Sequence, residues 1–330
     1  MKGFCFQCNI QFRSTTHQKV SIYNQKDLTD YFRIMSILIT GATGNVGRSV
    51  LDYLSVQLSG RIIYAGVRHI ESAKEKLKHF TEIQFRTFDF QNPDTFQNAF
   101  DQIETLFLLR PPNITDVAEV FEPMLKTAKA NGIKNVVFLS VQGVEKSSVI
   151  PHYKIEKLIV ALNFQYTFLR PSYFMQNLIT TLYPEIKSKN SITLPAGNAK
   201  FNWVDVKDIG AMAAEVIQEI ALHSNKIYTL TGSENLSFET VVSRINQKLQ
   251  TSIEYKRVNP ISFFIQKKQE GVPTAMVIVL IVLHFLPRFQ KEPEIHNDIA
   301  SLLHRKPINL DAFIQRHKGY FKVNDGQTNT

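Results

Sequence analysis

The sequence predicts an α/β fold, a doubly wound parallel sheet with a small C-terminal α/β lobe. Three observations carry that expectation. From Met35 onward, short apolar runs alternate with segments of helical period, the pattern left by strands joined through crossover helices. The runs fall at 36–40, 61–67, 82–88, 105–109, 134–140 and 165–170, each closed by turn residues, and connections of this kind are right-handed. The first run leads directly into a glycine-rich turn and a helix. After Arg170 and Pro171 the alternation loosens, with loops around Pro184, Pro195 and Pro260. The expected organisation is an extension over 1–34, a main domain over 35–170 and a smaller lobe over 171–330 that also contributes to the core fold.

Composition narrows the class. The 330 residues, 44% hydrophobic and 20% charged, describe a globular chain rather than a disordered or fibrous one. The two cysteines, Cys5 and Cys8, exclude a disulfide scaffold and point to a reducing, cytoplasmic setting. Their spacing is half of a zinc site, but no second pair follows, so no metal is expected. A net charge of +9 without a dense Lys/Arg cluster does not read as a nucleic-acid footprint. The longest apolar run, 275-AMVIVLIVLHFL-286, is shorter than the roughly 20 residues of a membrane span. It is expected as a buried helix closed by Pro287. A role at a membrane surface is the lesser reading, prompted by Arg288 and Lys291.

The stretch 37-ILITGATGNVGRSVLDYL-54 places strand, glycine-rich turn and helix in the order of a Rossmann dinucleotide site. Gly41 permits the tight turn, Gly44 lets the backbone approach a pyrophosphate, and Gly47 lets the helix pack against the strand. Thr43, Asn45 and Val46 belong to the same binding turn, and the helix N-terminus supplies donors and partial positive charge. At the end of the second strand, Arg68 stands where an acid would accept from the ribose 2′-OH of NAD. A guanidinium suits a 2′-phosphate, so NADPH is expected over NADH, with Lys74 or Lys76 assisting.

Five stretches together are similar to the NmrA-like branch of the atypical short-chain dehydrogenase/reductases: 40-TGATGNVG-47, the strand end at Arg68, 138-FLSVQGVEK-146, 167-TFLRPSYFMQN-177 and 202-NWVDVKDIGAMAAEV-216. The resemblance covers roughly Met35 to Phe321. It implies an NADPH:quinone reductase or a redox sensor that binds the dinucleotide without turning it over. It also bears on Tyr153 and Lys157, whose Y-x-x-x-K spacing matches a reductase acid and its lysine. In the catalytic members the lysine precedes a glutamate by four residues and an arginine by eighteen. Glu156 and Arg170 therefore put that lysine position on His152 and the tyrosine position on Ser148. Helical period agrees, since Tyr153 and Lys157 lie opposite the stripe Ile155, Leu158, Ile159 and Leu162. The pair is expected to be a solvated helix surface.

Further site residues follow. His152, at the head of its helix, is expected either to orient substrate or relay a proton, or only to bond the ribose or backbone. Ser140 stands where the superfamily carries a hydroxyl near the reacting group, with Gln142 as the alternative in a shifted alignment. Asp89 matches the adenine contact, its other reading being a helix cap. Arg110 ends the fourth strand beside the expected nicotinamide. Pro111, Tyr173, Phe174, Gln176 and Asn177 are expected in the substrate pocket. Asp205 and Asp208 read as helix-capping carboxylates. The expectation is an NADPH-dependent reductase of a quinone or related electrophile, without metal or flavin and without a membrane span. A homodimer or a regulatory protein partner is allowed for, and a non-catalytic sensor is the alternative.

Overall fold

The computed structural model describes residues 36–57 and 61–322. The extension expected over 1–34 and the cysteine pair lie outside them. The central sheet is formed by β1 (Ser36–Thr40), β2 (Ile62–Val67), β3 (Ile83–Thr87), β4 (Thr105–Leu109), β5 (Asn135–Leu139), β6 (Gln165–Pro171) and a strand from farther along the chain, Lys226–Leu230. Two small sheets use β7 (Tyr173–Phe174), β8 (Ser191–Leu194), β9 (Lys200–Val204), β11 (Asn235–Ser237) and β12 (Glu254–Arg257), so Lys226–Leu230 is β10. The central order is β10-β6-β5-β4-β1-β2-β3, parallel throughout. The chain reverses direction along the sheet between β1 and β4, which is where such sheets bind ligands at their carboxyl edge.

The longer helices are α1 (Asn45–Gln57), α2 (Ile70–Lys76), α3 (Glu122–Ala130), α4 (Pro151–Ala161), α5 (Tyr183–Lys189), α6 (Val206–Gln218), α7 (Phe238–Leu249), α8 (Pro260–Gln269), α9 (Thr274–Phe285) and α10 (Leu310–Arg316). Helices cover both faces of the central sheet, which is why β1 and β5 are buried at every residue and read as continuous apolar runs. One face packs against α1 and α6 through Val50, Leu54, Met212 and Val216; the other packs Phe100, Phe121, Met124 and Ile155. A third core gathers Trp203, Phe238, Ile245 and Phe313 around the small sheets.

All six strands expected from sequence are present. β10 was not anticipated: it is an edge strand, Lys-Ile-Tyr-Thr-Leu, with only Leu230 buried, so its apolar signal is weak. The run 275–286 is helical, but the expected burial is overturned. Only Val277 and His284 of α9 are buried, while Ile278, Val279, Val282 and Leu283 face outward. A helix apolar on all sides carries no period from which its outer face can be read. Among the described residues, no helix is long and apolar enough to cross a membrane.

Candidate active site

The glycine turn is built as its spacing requires. Gly41 adopts φ +64°, open to glycine at little cost, and its carbonyl accepts from the Gly44 amide at 3.0 Å. At Gly47 a Cβ would stand 2.3 Å from the Gly41 carbonyl oxygen, so α1 can pack this close to β1 only through glycine. Val46 is buried in the core, whereas Gly44 and Asn45 are exposed at the helix head.

A cleft of about 320 Å³ opens beside this turn, lined by Gly41, Thr43 and the ends of β2 and β3. Arg68, His69, Ser72 and Lys76 form its basic and hydroxyl wall, with Asp89 opposite. Arg68 is exposed and takes part in no hydrogen bond or ion pair among the described residues. Lys74, the other assisting lysine considered, is turned to Glu71 at 2.9 Å and does not line the cleft. Asp89 caps no helix. Its Oδ1 accepts from the Gln91 amide at 3.0 Å, which fixes the carboxylate at the cleft rim. Pro111 lines this cleft rather than the substrate pocket where it was expected, because the loop after β4 folds toward β1.

At the same carboxyl edge, past β5 and β6, lies an apolar pocket of about 280 Å³. Tyr173, Phe174, Asn177 and Gln142 line it, together with Phe201, Leu283, Pro287 and Pro293, which sequence reasoning missed. The missed residues come from distant segments with no local motif to mark them. Gln142 donates its amide to the Glu294 carbonyl at 2.8 Å, tying the pocket wall to the C-terminal chain. Gln176 departs from expectation. It is buried, donates to Asp205 at 2.8 Å and accepts from the Val206 amide at 2.9 Å, so both ends of its side chain are spent on the head of α6.

The carboxylates at that head are structural as well. Asp205 caps α6 through the Lys207 amide and pairs with Arg316, while Asp208 pairs with Arg305 at 2.6 Å.

Between the cavities, at the ends of β4 and β5, sit Arg110, His152 and Ser140. Arg110 donates to the carbonyls of Pro111 at 2.9 Å and Ile114 at 2.6 Å, and its Nε reaches His152 Nε2 at 3.4 Å. That long contact requires Nε2 to accept, which assigns the ring proton to Nδ1. Burial, reinforced by the adjacent guanidinium, pushes His152 down to about 3. The imidazole is therefore neutral at physiological pH. The Ser140 hydroxyl is buried and has no hydrogen-bond partner among the described residues.

Tyr173 lines the pocket, but its hydroxyl is engaged elsewhere. Its oxygen lies 2.9 Å from His284 Nε2, while His284 Nδ1 lies 2.7 Å from the Leu280 carbonyl. The carbonyl can only accept, so Nδ1 carries the proton and Tyr173 donates to Nε2. Burial raises the tyrosine and pushes His284 down to about 4, keeping both neutral.

Tyr153 and Lys157 behave as the helical period indicated. Lys157 is exposed, with its ammonium 5.4 Å from the Tyr153 ring centroid, on the outside of α4. Glu156 instead is buried and clamped by Arg170 at 3.0 and 2.7 Å, which fixes the head of the helix and hence His152.

A parallel sheet with a glycine turn at its switch point and a basic cleft beside that turn defines a Rossmann-like fold. The chain belongs to the NmrA-like family, whose model matches residues 35–314. It is 26% identical over 286 residues to an uncharacterized oxidoreductase of Bacillus subtilis (strain 168), YesF, covering 86% of this chain and 96% of that one. It is 25% identical over 247 residues to quinone oxidoreductase 2 of Escherichia coli (strain K12), covering 74% and 85%. Among solved structures, the NADPH-dependent quinone oxidoreductase QOR2 of Escherichia coli complexed with NADPH shares the fold at TM-score 0.74 and 22% identity, over 85% of this chain and 99% of that one.

Proposed function

We propose that this protein is an NADPH-dependent reductase that passes hydride directly to a quinone or a similarly conjugated small electrophile. The observation that carries the reading is the pairing of the two cavities along one sheet edge. One is basic and bordered by a phosphate-binding turn; the other is flat-walled and apolar. The residues present suit a nicotinamide dinucleotide. The amides at the head of α1 and the Gly41–Gly47 turn would hold the pyrophosphate. Arg68 and Lys76 would hold a 2′-phosphate, the basis for preferring NADPH, and Asp89 would meet the adenosine end. The unpartnered Ser140 hydroxyl would accept from the nicotinamide amide or donate to a carbonyl of the acceptor.

When bound, NADPH supplies the hydride. The rest of the chemistry falls to the acceptor, because neither His152 nor Tyr173 is poised as a titrating acid at neutral pH. His152 is neutral and faces Arg110, and Tyr173 already donates to His284. A simple ketone or aldehyde becomes a basic alkoxide and needs a positioned acid, whereas a quinone becomes a delocalised hydroquinone anion that does not. Arg110 and His152 thus serve to hold the loop over the reacting edge. The similarity to quinone oxidoreductase 2 supports the same acceptor class.

The test is NADPH consumption by the purified chain with benzoquinones, naphthoquinones and simple aldehydes. Turnover confined to quinones supports the reading. Brisk turnover of aldehydes without quinone turnover rejects it, and saturable NADPH binding with no turnover at all favours a sensor.

A further inference from the structure

Helix α9 is apolar around its whole circumference, yet only one side is covered. Val277 and His284 face the core, whereas Ile278, Val279, Val282, Leu283 and Leu286 remain 43–51% exposed, and Phe289 on the following turn is 72% exposed. The neighbouring α8 adds Ile261 and Ile265, also exposed. A contiguous apolar surface of this kind marks a docking face.

Its charge pattern distinguishes among occupants. Residues 271–291 contain no Asp or Glu, and the apolar stretch ends in Arg288 and Lys291. The first acid on either side is already paired, Glu270 with Lys189 and Lys267, both at 2.8 Å, and Glu292 with Lys200 at 2.7 Å; Glu294, farther on, is exposed. The face is therefore apolar with an uncompensated basic end. A second copy docked by the same surface brings its own basic end to the contact and adds no acid to match it. An anionic bilayer complements both features. The helix, about 18 Å long, is too short to cross a hydrocarbon core of about 30 Å but suits an orientation in the interfacial plane. The same helix also reaches the pocket, since its Leu283 lines it, with Pro287 just beyond its end.

We propose that this face seats the protein on an anionic lipid bilayer, and that a lipophilic quinone passes from the bilayer into the apolar pocket. The passage, though not the docking, rests on the reductase reading above. The experiment is flotation of the full chain with vesicles of phosphatidylcholine mixed with phosphatidylglycerol, and with phosphatidylcholine alone. The expected result is flotation with the mixed vesicles, weaker flotation with the neutral ones, and release by salt.

The double variant Val279→Glu/Leu286→Glu, neither of which lines the pocket, should lose about tenfold in partitioning. It should reduce a water-soluble benzoquinone at a rate within about twofold of the parent. A second variant, Arg288→Glu/Lys291→Glu, should lose binding chiefly to the anionic vesicles. Failure of the full chain to float, or equal flotation of the Val279/Leu286 variant, overturns the docking. A dimer that this variant converts to monomer, with no lipid binding by the parent, gives the face to a second copy instead. Flotation needs no turnover, so it stands or falls apart from the reductase reading. The delivery step is overturned if the variant reduces a long-chain quinone dissolved in the vesicles as fast as the parent does.

Discussion

The basic cleft borders a glycine turn made of the consecutive residues Thr40–Gly47, whereas the apolar pocket is walled by segments running from Val141 to Pro293. The first is a local backbone device, in which glycine spacing fixes geometry within a few residues. The second exists only after β7, β9 and α9 have been brought together by tertiary packing. One can therefore be damaged by a single methyl group and the other mainly by loosening what surrounds it. The contrast suggests that the cofactor is specified by the turn and the acceptor by the assembly.

The largest effect expected falls on the element between the two cavities. Arg170 clamps buried Glu156 and orients the head of α4, so Arg170→Ala leaves an unpaired buried carboxylate and should cost about 3–5 kcal/mol in denaturant unfolding. Both cavities should suffer. Gly47→Ala should act on one side only: a Cβ 2.3 Å from the Gly41 oxygen forces α1 away from the turn. A loss of about 1–3 kcal/mol in stability is expected, with NADPH affinity falling further than quinone affinity, as read by fluorescence titration.

Arg68→Ala sharpens the cofactor half of the comparison. Removing the one guanidinium at the end of β2 should weaken NADPH by about 10- to 100-fold and leave NADH nearly unchanged. Equal losses would mean that Arg68 does not read the 2′-phosphate. The smallest effect is expected for Tyr153→Phe with Lys157→Ala. Both side chains lie on the outer face of α4, so the rate should change less than about twofold, and a collapse of turnover would restore the pair to the active site.

What was legible in the sequence follows the same division. Six strands, the glycine turn and Arg68 were readable because each is encoded by neighbours: apolar runs, Gly41-x-x-Gly44-x-x-Gly47, and a strand end. The outward side of α4 that carries Tyr153 and Lys157 was readable from helical period. Gln176 was misjudged because nothing beside it announces Asp205 and Val206, its actual partners. That Pro111 lines the cleft beside the glycine turn could not be read from sequence, because the course of a loop after a strand is a tertiary property. Leu283 and Pro287 were hidden by the uniform apolarity of their segment, which conceals which side faces outward. The role of buried His284 in holding the Tyr173 hydroxyl required the fold.

The central claim is that hydride transfer here proceeds without a titrating protein acid, and the pH profile of NADPH-dependent quinone reduction tests it most directly. With His152 at about 3 and His284 at about 4, both imidazoles stay neutral as pH rises from about 5 to about 8, so kcat/KM should be flat across that window. A limb near neutrality that disappears in His152→Ala would contradict the account and make His152 a proton donor.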